Sequence, residues 1–564
     1  MKVSNALTFC VSLIIVASYL SLIISNAVDI PNGDDLYCML VFVQNFQDAQ
    51  SAMERLQLLT GQWVEHRIFY SRFVALLSFW FTGQVNFLLI SILGNLSLIG
   101  FAIVFWKIIR HAGMSAYYVI PIMLILFSPV MYEGNLWSGA STVYMPVCFL
   151  GLLIVYLLCH PSDWSFLPAV AAGLLATFSF GNGMFSLITG IILLLYQRRF
   201  IRAATWGLLS LIMILEYFRN FKVFSATNAF GFTEHFKHPE YLFYNLFAFI
   251  GGIFEYTENT NGTLSPDNIP AIVVGFVLAV SLSAIVYFEF IRKEDIAIEK
   301  SRFKIVWAGM VIFIGITAIA MAYSRTLDAS MNTLASRYKI YSMVFLILFY
   351  LSGLLFFEFR RRFGIIFGIF TLCLLIFNYY CYYGKFSNYK SSLLAGLYNY
   401  NQNGQWIIYR HTAYYEKASL ILTNSVKYNS KPVYQFKSVF PQLNLRSINQ
   451  ARILGGVLVK GADRSGSKDD KWLNITSETY PSFQNFHNGI YVVIYDEHNI
   501  FLFAANPKRN GRINMVKNGS YFKDGFYWEE NLQDFLNANK QYKLALFCPT
   551  ESEQIRRINY IISG

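Results

Sequence analysis

Asp34 and Asp35 stand side by side in Asp29-Ile30-Pro31-Asn32-Gly33-Asp34-Asp35-Leu36-Tyr37, just beyond the first long apolar run. Only 14% of the chain is charged, so an acid pair there invites two readings. It is a solvated Asn-Gly-Asp-Asp turn, or it is a carboxylate base that accepts the proton of an attacking hydroxyl. Ionisable groups at a membrane boundary cost free energy unless they are solvated or used. Further on comes Glu65-His66-Arg67-Ile68-Phe69-Tyr70-Ser71-Arg72. The guanidinium groups of Arg67 and Arg72 match phosphate oxygens in shape and charge, and His66 can carry a proton. The competing reading is an amphipathic interfacial helix whose arginines reach for water.

A third set is Arg325, Asp328 and Ala335-Ser336-Arg337-Tyr338-Lys339, which leads directly into an apolar run. Arg325 and Arg337 suit an anionic lipid phosphate, and Tyr338 suits a sugar face or a support for the arginine. Alternatively these cations are counter-ions for Asp34, Asp35 or Glu65. Glu133-Gly134-Asn135-Leu136-Trp137 and Phe180-Gly181-Asn182-Gly183 lie at other run ends. Glu133 can join the carboxylates and Trp137 can face a sugar, or the two motifs are an aromatic belt and a tight turn.

The elements that must hold these residues are membrane helices. The chain is 55% hydrophobic and 18% aromatic, and its apolar runs are confined to residues 1–383. Residues 384–564 have ordinary polar composition and form the second domain, outside the membrane. About 20 apolar residues cross a bilayer, and the runs at 7–27, 85–106, 115–132, 141–159, 166–181, 183–197, 203–217, 270–291, 305–324, 340–357 and 364–383 give about eleven spans. With the N-terminus in the cytoplasm, the basic clusters around Lys107, Arg199, Arg292, Lys300 and Arg360 all fall on the cytoplasmic side, as the positive-inside rule asks. The stretch Tyr241 to Phe254 is short for a span and reads as an interfacial or re-entrant helix. The predicted fold is therefore a polytopic α-helical membrane protein with a C-terminal α+β extramembrane domain. In that domain Tyr491–Tyr495 and Ile500–Phe503 read as strands across the turn Asp496–Asn499. Lys543–Phe547 is a further strand, and helices are expected at 529–539 and 551–562.

Several function classes recede. The net charge of +12 comes from loop cations rather than from any nucleic-acid recognition motif, so no nucleic-acid partner is expected. Seven cysteines show no metal-ligand spacing, and no phosphate-binding glycine loop is present.

The layout resembles the GT-C class of membrane glycosyltransferases, on the strength of its many spans, the acid pair in the first outer loop and the C-terminal domain. Glu65-His66-Arg67-Ile68-Phe69 and Ser336-Arg337-Tyr338 are also similar to segments of bacterial multispan proteins. The resemblance implies a polyprenyl-phosphate-linked sugar donor and a surface glycan acceptor such as O-antigen or lipopolysaccharide. It also implies an outer-face site in a bacterial inner membrane and a periplasmic tail. In it Asp34 or Asp35 is the base. Arg67, Arg72, Arg325, Arg337 and Tyr338 meet the donor phosphate, and Glu65, His66, Glu133 and Trp137 support the sugars. The adjacent Asp-Asp departs from the Asp-x-Asp or Glu-containing patterns common in that class, so its metal-dependent branch is not supported and no metal or cofactor is expected. The rivals are a non-catalytic assembly or anchoring protein and a lipid-linked-glycan transporter or polymerase.

Overall fold

The computed structural model describes residues 2–222, 237, 239–257, 266, 268–292, 302–325, 332–408, 412–428, 432–437, 440–462, 472–481, 489–532, 540–549 and 554–563. They form two compact units.

The first unit comprises Met1–Ser25, Asn45–Phe81 and Phe87–Tyr382. Along the chain, α1 (Lys2–Asn26) is followed by a π-helix at Leu36–Val41, which belongs to the second unit, and then by α2 (Phe42–Asp48), which re-enters the first at Asn45. Ser51 caps α3 (Ala52–Thr60) by accepting from the Glu54 amide at 3.1 Å. A small hairpin pairs β1 (Gln62–Trp63) with β2 (His66–Arg67) and leads into α4 (Phe69–Thr82). Next come α5 (Phe87–His111), α6 (Ile120–Leu126), α7 (Tyr132–Leu136) and α8 (Ser138–Leu158). Helices α9 (Phe166–Ser179), α10 (Met184–Tyr196), α11 (Phe200–Phe218) and α12 (Pro239–Gly251) follow. The set closes with α13 (Ile269–Val286), α14 (Arg302–Arg325), α15 (Lys339–Phe356) and α16 (Arg360–Asn403), of which the part from Tyr383 onward belongs to the second unit.

Nine helical stretches among the described residues are long and apolar enough to cross a membrane. They are Asn5–Asn26, Phe87–His111, Ala116–Leu136, Ser138–Leu158, Phe200–Phe218, Ile269–Ile291, Arg302–Ser324, Ser336–Phe356 and Arg360–Asn403. The shortfall from eleven lies at two places. The runs expected at 166–181 and 183–197 are helices of 14 and 13 residues, joined by a 3₁₀ turn at Gly181–Gly183. At 1.5 Å per residue each is about 20 Å long, less than a hydrocarbon core of about 30 Å. Helix α12 is also 13 residues long.

Lipid offers no hydrophobic drive between helices, so close backbone packing and satisfied polar groups must hold them together. Gly251 of α12 and Gly275 of α13 face each other so closely that a Cβ on either would run into a carbonyl of the other helix. A Cβ on Gly94 of α5 would meet Ser141 of α8 at 2.6 Å. Buried indoles find carbonyls across helices: Trp206 Nε1 donates to Leu187 O at 2.9 Å, and Trp307 Nε1 to Leu348 O at 2.8 Å.

The second unit joins Tyr383–Gly564 with two pieces from earlier in the chain, Asn26–Gln44 and Thr82–Asn86. The polar tail is thus not a domain by itself; the loop carrying Asp34 and Asp35 is part of it. Tyr434 donates to Asp29 O at 2.6 Å, Gln44 Nε2 to Ser425 Oγ at 2.9 Å, and Val85 N to Val433 O at 2.8 Å. Its helices α17 (Thr412–Lys427) and α18 (Leu445–Gln450) precede strands β3 (Val457–Ala462), β4 (Trp472–Ser477), β5 (Ile490–Tyr495) and β6 (Ile500–Arg509). After α19 (Arg512–Asn518) come β7 (Phe522–Asn531), β8 (Gln541–Phe547) and β9 (Ile555–Ser563). The seven strands from β3 onward form one antiparallel sheet in the order β3-β4-β7-β6-β5-β8-β9. Asn399 of α16 grips the back of the sheet through both amide atoms, donating to Leu502 O at 2.9 Å and accepting from Leu502 N at 2.7 Å.

The hairpin expected across Asp496–Asn499 is present, with Tyr495 opposite Ile500. Two helix expectations are corrected. Residues 555–562 are strand β9, because Ile555, Ile558, Ile561 and Ile562 find ladder partners on β8, and β-branched side chains fit a pleated surface better than a helix. Residues 529–531 close strand β7, while 533–539 lie outside the described residues.

Candidate functional site

In the first unit the Glu65–Arg72 segment is built from the hairpin upward. Val64 turns the chain at φ 46°, a conformation that a β-branched residue seldom adopts. The turn leaves Glu65 exposed and sends His66 inward, against the Phe180 ring at 4.0 Å between centroids. Gly181 makes room, since a Cβ there would come within 3.2 Å of His66 Nδ1. Arg67 is spent on backbone carbonyls: Nη1 donates to Thr60 O at 2.6 Å, Nε to Tyr217 O at 2.8 Å and Nη2 to Arg219 O at 3.0 Å. It thereby caps the C-terminus of α11, where a cation is favoured. Arg72, which is buried, donates Nη1 to Leu58 O at 2.7 Å and Gly61 O at 2.6 Å. These two arginines therefore shape the loop itself.

From His66 a chain of contacts runs to the other predicted residues. Phe180 meets Tyr144 at 5.4 Å, and Tyr144 meets Tyr338 edge-on at 5.0 Å. The Arg337 guanidinium lies over the Tyr338 ring at 5.0 Å and reaches Glu133 Oε2 at 3.3 Å. Ser336-Arg337-Tyr338 is a single 3₁₀ turn, docked through the Glu133 amide, which donates to Ser336 Oγ at 3.0 Å. Asn135 anchors the opposite side. Its Oδ1 accepts from the Tyr19 hydroxyl at 2.7 Å and its carbonyl from Asn95 Nδ2 at 2.9 Å. Asn182 donates to the Tyr341 hydroxyl at 2.7 Å, while among the described residues its own Oδ1 is buried with no hydrogen-bond partner. Of the expected residues, Glu133, Arg337 and Tyr338 meet directly, and His66 is joined to them only through the Phe180 and Tyr144 rings. Trp137 stands one turn after Glu133, donating its amide to Glu133 O at 2.9 Å. Arg325 closes α14, and its side chain lies outside the described residues, as does all of Asp328.

In the second unit Asp34 and Asp35 part company. Asp34 is exposed, and its carbonyl accepts from the Cys38 amide at 2.8 Å. Asp35 is completely buried at the start of the π-helix, and its Oδ2 accepts from the Asn32 amide at 3.0 Å. Asn32 in turn donates Nδ2 to the Tyr389 hydroxyl at 2.7 Å. Gly33, at φ 55°, supplies the left-handed bend that sends the acids opposite ways.

Comparison with family models, with curated proteins and with solved structures finds no match. The chemistry must therefore be read from the side chains alone. Among the described residues no three of His, Cys, Asp and Glu come together in a way that could hold a metal ion.

Two features escaped the sequence reading. Lys339 is buried with Glu255, its Nζ 2.8 Å from Oε2, and the Tyr382 hydroxyl lies 2.5 Å from the same nitrogen. Thr257 donates to the other carboxylate oxygen through its amide at 2.7 Å and its hydroxyl at 3.0 Å. The available signal was an acid at the end of one short apolar stretch and a lysine opening a later one. The second is a cavity of about 340 Å³ within the second unit, lined by Tyr398, Phe436 and Phe440 together with Asn401, Gln402 and Gln442. Aromatic faces and side-chain amides together suit a sugar, and among the described residues Gln402 Oε1 is buried with no partner.

Proposed function

We propose that this protein is a membrane glycosyltransferase that moves a sugar from a polyprenyl-phosphate donor to a surface glycan on the outer face of a bacterial inner membrane. The observation that carries the reading is Asp35. It is a carboxylate withdrawn from water directly after the first apolar helix, at the start of a π-helical turn, and irregular turns of this kind concentrate at functional sites. In the reaction the acceptor hydroxyl gives its proton to Asp35 as its oxygen bonds to the anomeric carbon. The bond from that carbon to the phosphate oxygen breaks, and its electron pair leaves with the polyprenyl phosphate. Negative charge developing on such a leaving group is what a fixed cation stabilises. The aromatic and amide-lined cavity of the second unit serves the glycan acceptor.

The test compares surface glycans by mass spectrometry in cells carrying the native chain, Asp35→Asn or Asp34→Ala, at equal protein levels. Loss of one sugar mass with Asp35→Asn and its retention with Asp34→Ala supports the reading. An unaltered glycan with Asp35→Asn ends it and turns attention to assembly or transport.

A further inference from the structure

At one end of the first unit lies a cavity of about 660 Å³. The end of α5, the connections after α8 and α10, the start of α14, the end of α15 and the start of α16 converge on it. Its wall includes Arg199, Arg302, Lys304 and Arg360 with His111, and among the described residues no aspartate or glutamate lines it. Lys304 is 3.5 Å from Glu289 outside that wall, so one of the four cations is partly neutralised. Arg199 uses Nη1 on Leu158 O and His160 O, which fixes its position without neutralising it. Arg302 is held between the Tyr156 and Phe303 rings at 5.9 and 5.2 Å and hydrogen-bonds to Tyr156, while among the described residues its Nε and Nη2 find no hydrogen-bond partner. A guanidinium presented by aromatic rings with two donors unspent is costly unless something anionic meets it. The surrounding field is positive enough to reach a neighbour. Burial first, then the charges of Arg302, His111 and Lys107, hold the His160 imidazole below its ordinary value.

We infer that this cavity is a binding site for a phosphate-bearing anion, with Arg302 as its central ligand and Arg199, Lys304 and Arg360 as the surrounding charge. The positive-inside rule assigns this end of the helices to the cytoplasm. The site is therefore separate from the outer-face chemistry proposed above and does not depend on it. Two sources offer the same chemistry, the headgroup of an anionic lipid reaching in between helices and a soluble phosphate compound.

The experiment uses the full chain. In detergent free of anionic lipid, binding of radiolabelled pyrophosphate is measured. In nanodiscs of phosphatidylcholine with a minor fraction of phosphatidylglycerol, native mass spectrometry counts retained phosphatidylglycerol. Saturable pyrophosphate binding identifies a soluble ligand, and retained phosphatidylglycerol without it identifies a lipid. In either arm Arg302→Gln weakens binding about tenfold or more, as expected for loss of a charge-assisted pair. Arg360→Gln guards against misfolding, since Arg360 is exposed and its replacement leaves the core intact; it weakens binding about threefold. Absence of saturable binding in both arms, or equal binding by the native chain and both variants, overturns the inference.

Discussion

Lys339 Nζ lies 2.8 Å from a Glu255 carboxylate oxygen, with both side chains almost wholly removed from solvent. Such a pair joins the segment after α12 to the start of α15, and Tyr382 of α16 closes it from a third direction. Breaking a buried pair leaves an uncompensated charge, so Glu255→Gln should cost about 3–5 kcal/mol. The expected outcome is a markedly lower unfolding temperature in detergent. Replacing both residues, as in Glu255→Met with Lys339→Met, should recover most of the loss. A double variant as unstable as the single one would show that the hydroxyl and amide contacts matter more than the charges.

Arg67 makes its hydrogen bonds to carbonyls with a geometry that an ammonium cannot reproduce. Arg67→Lys is accordingly not conservative. It should loosen the hairpin and the end of α11, costing about 1–3 kcal/mol. Limited proteolysis of the full chain should then cut near residues 60–67 while the native chain stays intact.

Asp496 accepts from the His498 and Asn499 amides at 2.7 and 2.6 Å and pairs with Lys540 at 3.0 Å. Burial acts against its ionisation, but these partners prevail and hold the carboxyl down at about 2, from an ordinary value of 3.8. The stabilisation is thus complete above the ordinary value and is lost as the pH falls towards 2. Hydrogen exchange at the turn amides should accelerate across that window in the native chain, beyond the intrinsic pH trend. Asp496→Asn should abolish the extra dependence.

The buried Asn182 carbonyl oxygen gives another handle. Asn182→Asp places a carboxylate beside Tyr341, where no cation is among its hydrogen-bond partners. A buried unpaired charge is strongly unfavourable. The variant should lose several kcal/mol of stability, or hold its proton, whereas Asn182→Ser should be milder. Unfolding temperatures measured at two pH values separate these outcomes.

Much of this architecture was legible because its signals are local. Apolar runs marked the helices, and the Tyr491–Tyr495 run followed by Asp-Glu-His-Asn marked a hairpin whose strands pair as expected. Less legible were facts set by distant partners. Nothing near Ile555 announces that β8 will take it into a sheet, and nothing near Arg67 announces that α11 ends beside it. The Ser-Arg-Tyr and Glu133 motifs were singled out separately, and their meeting through a 3.3 Å ion pair is a tertiary fact. The acid pair shows the limit most clearly. Two adjacent aspartates look equivalent as letters, yet one bend at Gly33 buries Asp35 and leaves Asp34 in solvent.

The contact between Gly251 and Gly275 has a further consequence. A Cβ on Gly251 would strike the Ala271 carbonyl and one on Gly275 the Phe247 carbonyl, so neither can acquire a side chain while the two backbones stay this close. Both sites are therefore held to glycine by one close approach, although they belong to different helices. Distant kin that have changed nearly every lipid-facing residue should still carry glycine at both positions. The pair is a two-letter fingerprint by which such kin can be told from unrelated apolar chains.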